Sequence, residues 1–351
     1  MIHTQILIIG QGLAGSLLAW ELWKHGVDFR VMDPGLPDTA SKAAAGMFHP
    51  LVARKIRQTD RFDLLFPALK NTYLELETQL ENKFLFETPT ARLILPQTMP
   101  EWKKAMQNEL KDHILQIIPA GGFPGLNPGK AVVLTTNSGF VEVPGLVYAL
   151  SRWFRGKGLL IEQKLNYSKI SLHAGSVRVG DKLSTECIVF CEGPGALNNP
   201  WFKEYGISAN KGEVLEILAP ELEEQYILRD EVFILPLDQG RFRVGATYSQ
   251  QSLDNEPTKQ GLQELKEKLN RMLKVTYDVV DHWAGVRPVS KDRIPILGFH
   301  PLHPQLAIFN GLGSRGVIQA PYWASQMRKL LTEDSFVLPK EVLVDRFFNT
   351  L

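Results

Sequence analysis

Residues 6–33 read ILIIGQGLAGSLLAWELWKHGVDFRVMD, and the fold follows from this stretch. Residues 6–9 form an apolar run too short for a buried helix and β-branched enough for a buried parallel strand. The run ends in Gly10-Gln11-Gly12-Leu13-Ala14-Gly15, after which Leu13, Leu17, Leu18 and Leu22 recur at helical spacing. Gly26 stands where a helix C-cap is expected, residues 29–32 make a second short strand, and Asp33 closes it. In such a unit the first glycine permits the tight turn, the second lets a pyrophosphate approach the backbone, and the third lets helix pack on strand. The helix N-terminus then faces the phosphates with free N–H groups and the positive end of its dipole. Asp33, eighteen residues past Gly15, suits a ribose 2′-OH and disfavours a 2′-phosphate. The alternative for the glycines is a purely structural turn. The residues alone thus point to a dinucleotide, FAD or NAD in preference to NADP.

Bulk composition narrows the class. A chain of 351 residues exceeds one compact core, so two domains or one enlarged α/β domain is expected. The net charge of +1 supplies no general field for nucleic acid. No apolar run reaches the ~18–20 residues of a membrane span, and strand one begins almost at Met1, which leads us to expect a cytoplasmic protein without a membrane partner. Cys187 and Cys191 lie in one strand-like run, roughly 13 Å apart at about 3.3 Å per residue, too far for a disulfide. They read as two buried thiols, and no His/Cys cluster has metal-ligand spacing, so no metal is expected.

Farther along, a loop at residues 34–37 precedes small residues 40–46, which would let backbone lie close to a flat ligand. Helices are expected over 60–81, 102–115, 145–157, 260–273 and 317–331. Strands are expected within 84–95, at 159–162, 188–190 and 306–309, and in an antiparallel set at 213–218, 232–235 and 242–246. A second glycine-rich strand-to-helix turn, Asn310-Gly311-Leu312-Gly313-Ser314-Arg315-Gly316, follows the last strand. The elements suggest two interleaved parts.

Eight segments, in order, carry a family likeness: GQGLAG with Asp33; SKAAAGMFHP; GFVEVPGLVYAL; IVFCEGPGA; KGEVLEI; FILPLDQGRFRVGATY; AGVRPVSKDRIPILG; and NGLGSRGVIQAP. Over nearly its whole length the chain resembles the D-amino-acid-oxidase (DAO) superfamily of FAD-dependent oxidoreductases, which includes glycine oxidase and sarcosine oxidase. The second glycine turn near the C-terminus moves the expected cofactor from FAD or NAD to FAD. The resemblance implies an α/β (overall α+β) fold, with a Rossmann-like FAD-binding domain (1–82, 140–205, 288–351) interleaved with a smaller antiparallel-sheet substrate domain (83–139, 206–287). It implies that Gly10, Gly12, Leu13, Ala14 and Gly15 hold the pyrophosphate and Asp33 the adenosine ribose. Ser41 and Lys42 match positions approaching the phosphates or ribityl chain, and Ala45, Gly46 and Met47 the segment beside the isoalloxazine. Tyr167 falls where the family's backbone meets adenine, and Gly193 lies in the IVFCEGPGA segment. Gly311, Gly313, Ser314, Arg315, Gly316 and Val317 match the loop at the flavin pyrimidine edge, where the helix dipole favours the negative charge of reduced flavin. Neither cysteine matches the family's covalent attachment site, so FAD is expected to be non-covalent.

For the substrate, Ala284-Gly285-Val286-Arg287-Pro288 matches a G-x-R-P signature whose arginine clamps a carboxylate in amino-acid-oxidising relatives. The alternative is a structural arginine paired with Asp292 or another carboxylate. Tyr248 is either pocket lining or a surface aromatic. His49 is a candidate general base or a packed, hydrogen-bonded histidine. The implied reaction oxidises a C–N bond of a small amino acid or N-substituted glycine by hydride transfer to flavin, followed by hydrolysis of the imine. AAAGMFHPLV and NGLGSRGVIQAP are more like the oxidoreductase part of a bifunctional tRNA enzyme, which makes trimming of carboxymethylaminomethyl-uridine in tRNA the second reading. A third is a flavin-binding electron-transfer subunit without oxidase turnover.

Overall fold

The computed structural model describes residues 2–52 and 55–350. Its six α-helices among these residues are α1 (Leu13–Lys24), α2 (Phe62–Leu80), α3 (Met99–Gln107), α4 (Val143–Gly156), α5 (Lys259–Met272) and α6 (Gly316–Thr332).

The opening stretch forms the centre of the first sheet. Strand Ile2–Ile9 lies between Phe29–Met32 and Leu183–Phe190, parallel to both. Leu160–Ile161 extends the sheet beyond Phe29–Met32. On the other side, Leu183–Phe190 is shared: its first half pairs antiparallel with Ser176–Val179 and its second half parallel with His303–Asn310. Because the strand is buried on both faces, alternate residues enter two cores. Ile6 and Ile8 pack with Leu17, Leu18 and Phe309 against the helices. Leu7 and Ile9 pack with Phe190 and Phe202 on the opposite face. The expected α/β architecture is therefore present, with parallel pairing at its heart.

The second sheet runs Asp278–Ser290, Ile207–Leu218, Arg241–Gly245, Phe233–Pro236, Ile227–Arg229, Thr90–Ile94, Ala131–Thr135 and Ile114–Ile118. All its neighbours are antiparallel except Ile227–Arg229 on Thr90–Ile94. Alternation is again decisive. Leu215, Val244, Ile234, Leu228 and Leu134 point to one face and form a core with Leu265 and Leu269 of α5. The other face turns toward residues 40–44, whose Ala43 and Ala44 carbonyls accept from Trp283 and Arg243 on it. A small third sheet joins Met47–Phe48, Gly139–Val141 and Leu85–Glu87.

Two expectations are corrected. The helix expected over 102–115 is α3, ending at Gln107, and Ile114–Ile118 is a strand paired with Ala131–Thr135. Trp102 and Ala105 fit one buried helical face, whereas β-branched Ile114, Ile117 and Ile118 favour the sheet. Strand Asp278–Ser290, which carries Arg287, was not foreseen because its first four residues are exposed and show no alternation.

Both cysteines are free thiols, as expected. Burial pushes the Cys187 thiol up to about 12 and raises Cys191 as well. Native protein treated with iodoacetamide at about pH 8 should therefore stay unlabelled while denatured protein takes up the reagent at both sites. Intact-mass analysis reads the result, and rapid native labelling of either cysteine would contradict it. No described helix is long and apolar enough to cross a membrane.

Candidate active site

At the first glycine turn, Gly10 has φ +99°, a conformation side chains rarely adopt. Gly15 lies so close to this turn that a Cβ there would sit 1.9 Å from the Gly10 carbonyl oxygen. Gly12 caps α1 without a side-chain partner, and the Leu13 N–H donates to Ser41 Oγ at 2.9 Å. Ala14 is partly buried beside them. Asp33 accepts from the Gln11 N–H (2.8 Å to Oδ2) and the Gly35 N–H (2.7 Å to Oδ1). A carboxylate has about four acceptor positions, so capacity remains for a ribose hydroxyl. Lys42 turns elsewhere, its Nζ donating to the Leu36 carbonyl. The Tyr167 hydroxyl donates to Glu192 Oε1 at 2.5 Å. The Gly193 carbonyl accepts from Asn310 Nδ2 at 2.9 Å, tying the ends of two strands together.

Residues 43–47 lie between the small third sheet and the second sheet. Gly46 approaches Val141 so closely that a Cβ would meet its carbonyl oxygen at 1.9 Å, and Met47 pairs with Phe140. From the other side, Arg243 Nη1 donates to the Ala44 carbonyl (3.2 Å) and Trp283 Nε1 to the Ala43 carbonyl (3.5 Å). Ala45 thus sits in a backbone segment held on both flanks.

The second glycine turn follows His303–Asn310. Gly311 has φ +74°, and its N–H is fixed by Asn310 Oδ1 at 2.8 Å. Gly313, Ser314 and Arg315 make a 3-10 turn with Ser314 and Arg315 exposed. Helix α6 starts at Gly316, whose Cβ position lies 3.5 Å from Leu13 Cδ2. The Val317 carbonyl accepts from the buried Tyr73 hydroxyl at 2.9 Å. The N-terminal ends of α1 and α6 therefore meet, and neither has a side-chain cap. Two helix N-termini side by side favour anionic phosphates and an electron-rich ring edge.

Arg287 projects from the inward face of the second sheet. Its guanidinium lies against the bare Gly212 backbone, where a Cβ would meet Nη1 at 2.0 Å, and 5.2 Å from the centre of the Tyr248 ring. Nη1 is buried with no hydrogen-bond partner, and so is Oδ1 of Asn210, the cross-strand neighbour of Arg287. Burial lowers the Arg287 pKa, with no carboxylate contributing. The alternative partner, Asp292, is bonded to Arg346 at 2.9 Å. Tyr248 is 67% exposed, so its ring combines contact with Arg287 and a solvent-facing edge. His49 has its pKa depressed well below the usual value by burial and by Arg229, Arg92 and Arg315.

Asn210, Gly212, Arg243 and Trp283 were absent from the sequence-derived set. KGEVLEI marked Gly212 as part of a family segment, but its opposition to Arg287 depends on strand pairing.

The profile of the FAD dependent oxidoreductase family (DAO) matches residues 5–330, and the chain belongs to this family. It is 25% identical to glycine oxidase from Bacillus licheniformis, covering 93% of this chain and 92% of that one. It is 23% identical to the tRNA 5-methylaminomethyl-2-thiouridine biosynthesis bifunctional protein MnmC from Legionella pneumophila, covering 96% of this chain and 55% of that longer protein. The crystal structure of iminodiacetate oxidase from Chelativorans sp. BNC1 shares the fold, with a TM-score of 0.81, 20% identity and coverage of 97% and 98%. The protein is thus an FAD-dependent oxidoreductase, as the family resemblance led us to expect.

Proposed function

We propose that the protein oxidises the C–N bond of a small amino acid or N-substituted glycine, using non-covalently held FAD. The observation that carries this reading is the buried, unpartnered Arg287 Nη1 beside the unpartnered Asn210 Oδ1. A buried cation without a counter-charge costs stability, and a substrate carboxylate would offset that cost while gaining a forked hydrogen bond. The Asn210 carbonyl oxygen would accept from the substrate amine. Bound FAD would supply the hydride acceptor for the carbon next to nitrogen. The chain's own task is to orient that carbon and exclude water.

In this reading Gly10, Gly12, Leu13, Ala14, Gly15 and Ser41 line the pyrophosphate, and Asp33 takes the ribose. Ala45, Gly46 and Met47 back the ring system, with Gly311, Gly313, Ser314, Arg315, Gly316 and Val317 at its pyrimidine edge. Tyr248 closes over the substrate. His49, held neutral by burial and three arginines, holds a proton too weakly for a base at neutral pH, and we assign it a lining role. The reading includes an FAD-binding part (1–82, 140–205, 288–351) and a substrate part (83–139, 206–287), a division that the two separate larger sheets support.

Purified protein should be yellow or reconstitutable with FAD, and anaerobic mixing with glycine, sarcosine and longer N-alkyl glycines should bleach the flavin. Bleaching by modified tRNA alone would replace this reading with the tRNA one, and bleaching by neither would favour the electron-transfer subunit. Gly212→Ala adds a further expectation. The new methyl would push the flexible Arg287 guanidinium aside, raising KM about 10-fold or more with little change in thermal stability. An unchanged KM would mean that the guanidinium does not need this bare backbone.

A further inference from the structure

The inward face of the second sheet carries more cations than one carboxylate requires. The strand registers put Arg287, Arg243, Arg229 and Arg92 on that face, opposite the apolar residues that pack on α5. Arg243 is accounted for by its bond to the Ala44 carbonyl and its place over the Trp283 ring, 5.5 Å from its centre. Arg92 donates to the Val52 carbonyl at 2.9 Å and lies over Trp102. Arg229 is different: among the described residues no carboxylate acts on it, and the neighbouring charge that does, Arg92, is of like sign.

Arg229 and Arg92, paired across neighbouring strands, line a cavity of about 10 Å³ with His49, Leu51, Thr90 and Thr135. That is room for about one water-sized group. Thr90 is only 3% exposed, and its hydroxyl oxygen has no hydrogen-bond partner. The corner therefore holds an uncompensated cation and a buried, unused hydroxyl, with a neutral His49 beside them.

We propose that this corner is a second anion subsite, taking a carboxylate that the substrate carries at the end remote from its reacting C–N bond. Arg229 supplies paired N–H donors and Thr90 a hydroxyl donor, a combination that suits the two oxygens of a carboxylate. The space admits one carboxylate oxygen as it stands, so the second would meet the partly exposed Arg229 from its open side, and a bulkier phosphate is disfavoured. Four strand spacings separate the Arg229 and Arg287 strands, roughly 19 Å along a flat sheet. Inward-leaning side chains shorten this gap without closing it, so the second carboxylate belongs several atoms from the first. This inference rests on the proposed amine oxidation and narrows its substrate to an amino or imino dicarboxylate.

The test pairs two substrate series on the FAD-loaded enzyme. N-(carboxyalkyl) glycines with two to five methylenes are compared with N-alkyl glycines of equal length. The carboxylated member of the best length should show a kcat/KM advantage of about 30-fold or more. Arg229→Gln should reduce that ratio to near one, and Thr90→Val should lower it several-fold. An independent binding arm uses calorimetry with glutarate and adipate against butyrate. A dicarboxylate should bind about 10-fold tighter, and both Arg229→Gln and Arg287→Met should remove the difference. Equal turnover of the two series, or a parallel loss of both in Arg229→Gln, overturns the subsite while leaving amine oxidation standing. Dicarboxylate binding without bleaching by either series upholds the subsite and removes the oxidation reading. Absence of both binding and bleaching removes both, and turnover of modified tRNA alone overturns the small-dicarboxylate assignment.

Discussion

Arg287→Met is expected to cut kcat/KM by roughly 10²–10³-fold, through KM, while the bound-flavin spectrum stays that of the parent protein. The size follows from the environment. The guanidinium is buried against Gly212 and Tyr248, and a carboxylate reaching it would leave water for a charge-assisted bond. Thermal stability should move in the opposite direction. Replacing an uncompensated buried charge by an apolar chain removes a desolvation cost, so Tm is expected to hold or rise by a few degrees. Steady-state kinetics, flavin absorbance and a melting curve together decide the role. An arginine that held the fold would, on removal, lower Tm and release FAD, and that combination would refute the clamp. Arg287→Lys should restore little, because an ammonium keeps the charge but loses the planar fork.

Gly15→Ala is the second large effect, and here two terms of opposite sign compete. Alanine is favoured over glycine inside a helix by about 1 kcal/mol. Against that, the added methyl would lie 1.9 Å from the Gly10 carbonyl oxygen and 3.2 Å from Cys191 Cβ. The first neighbour is backbone of the turn itself, so it cannot swing away as a side chain would. Overpacking of this kind costs typically 1–3 kcal/mol and occasionally more, and it displaces the turn and the start of α1 on which the phosphates depend. The clash should win: FAD stoichiometry should fall to near zero and Tm by several degrees. Gly26→Ala provides the contrast, because its Cβ would meet nothing within 4 Å and only the φ of +67° opposes it. That variant should keep its flavin and lose about 1 kcal/mol. Normal FAD content in Gly15→Ala would show that the helix-on-strand contact is not what shapes the turn.

Several features were legible locally. The cofactor region depends on short-range grammar: strand, glycine turn and helix within residues 6–33, repeated at 306–331, with Asp33 at a readable distance. Each of those residues acts through its own backbone or its near neighbours, so spacing along the chain carried the information. The substrate side did not have this property. Helix α3 was extended too far because Leu110 and Ile114 continue an apolar rhythm that only pairing with Ala131–Thr135 resolves into a strand. Arg287 was found through a family signature, but its freedom from Asp292 emerged only when Arg346 proved to be that carboxylate's partner.

By itself, then, the sequence determined an FAD-binding α/β protein with two helix N-termini built to face a dinucleotide. The tertiary structure decided which cations lack a counter-charge and which lie on one face of a sheet. Asn210, Gly212, Thr90, Arg229 and Arg287 come from four strands spread across some two hundred residues, and strand register, antiparallel except between the Thr90 and Arg229 strands, brings them to one face. The physical reason is that a strand's period of two assigns each residue to a face, whereas the identity of its neighbours is set by pairing between distant segments.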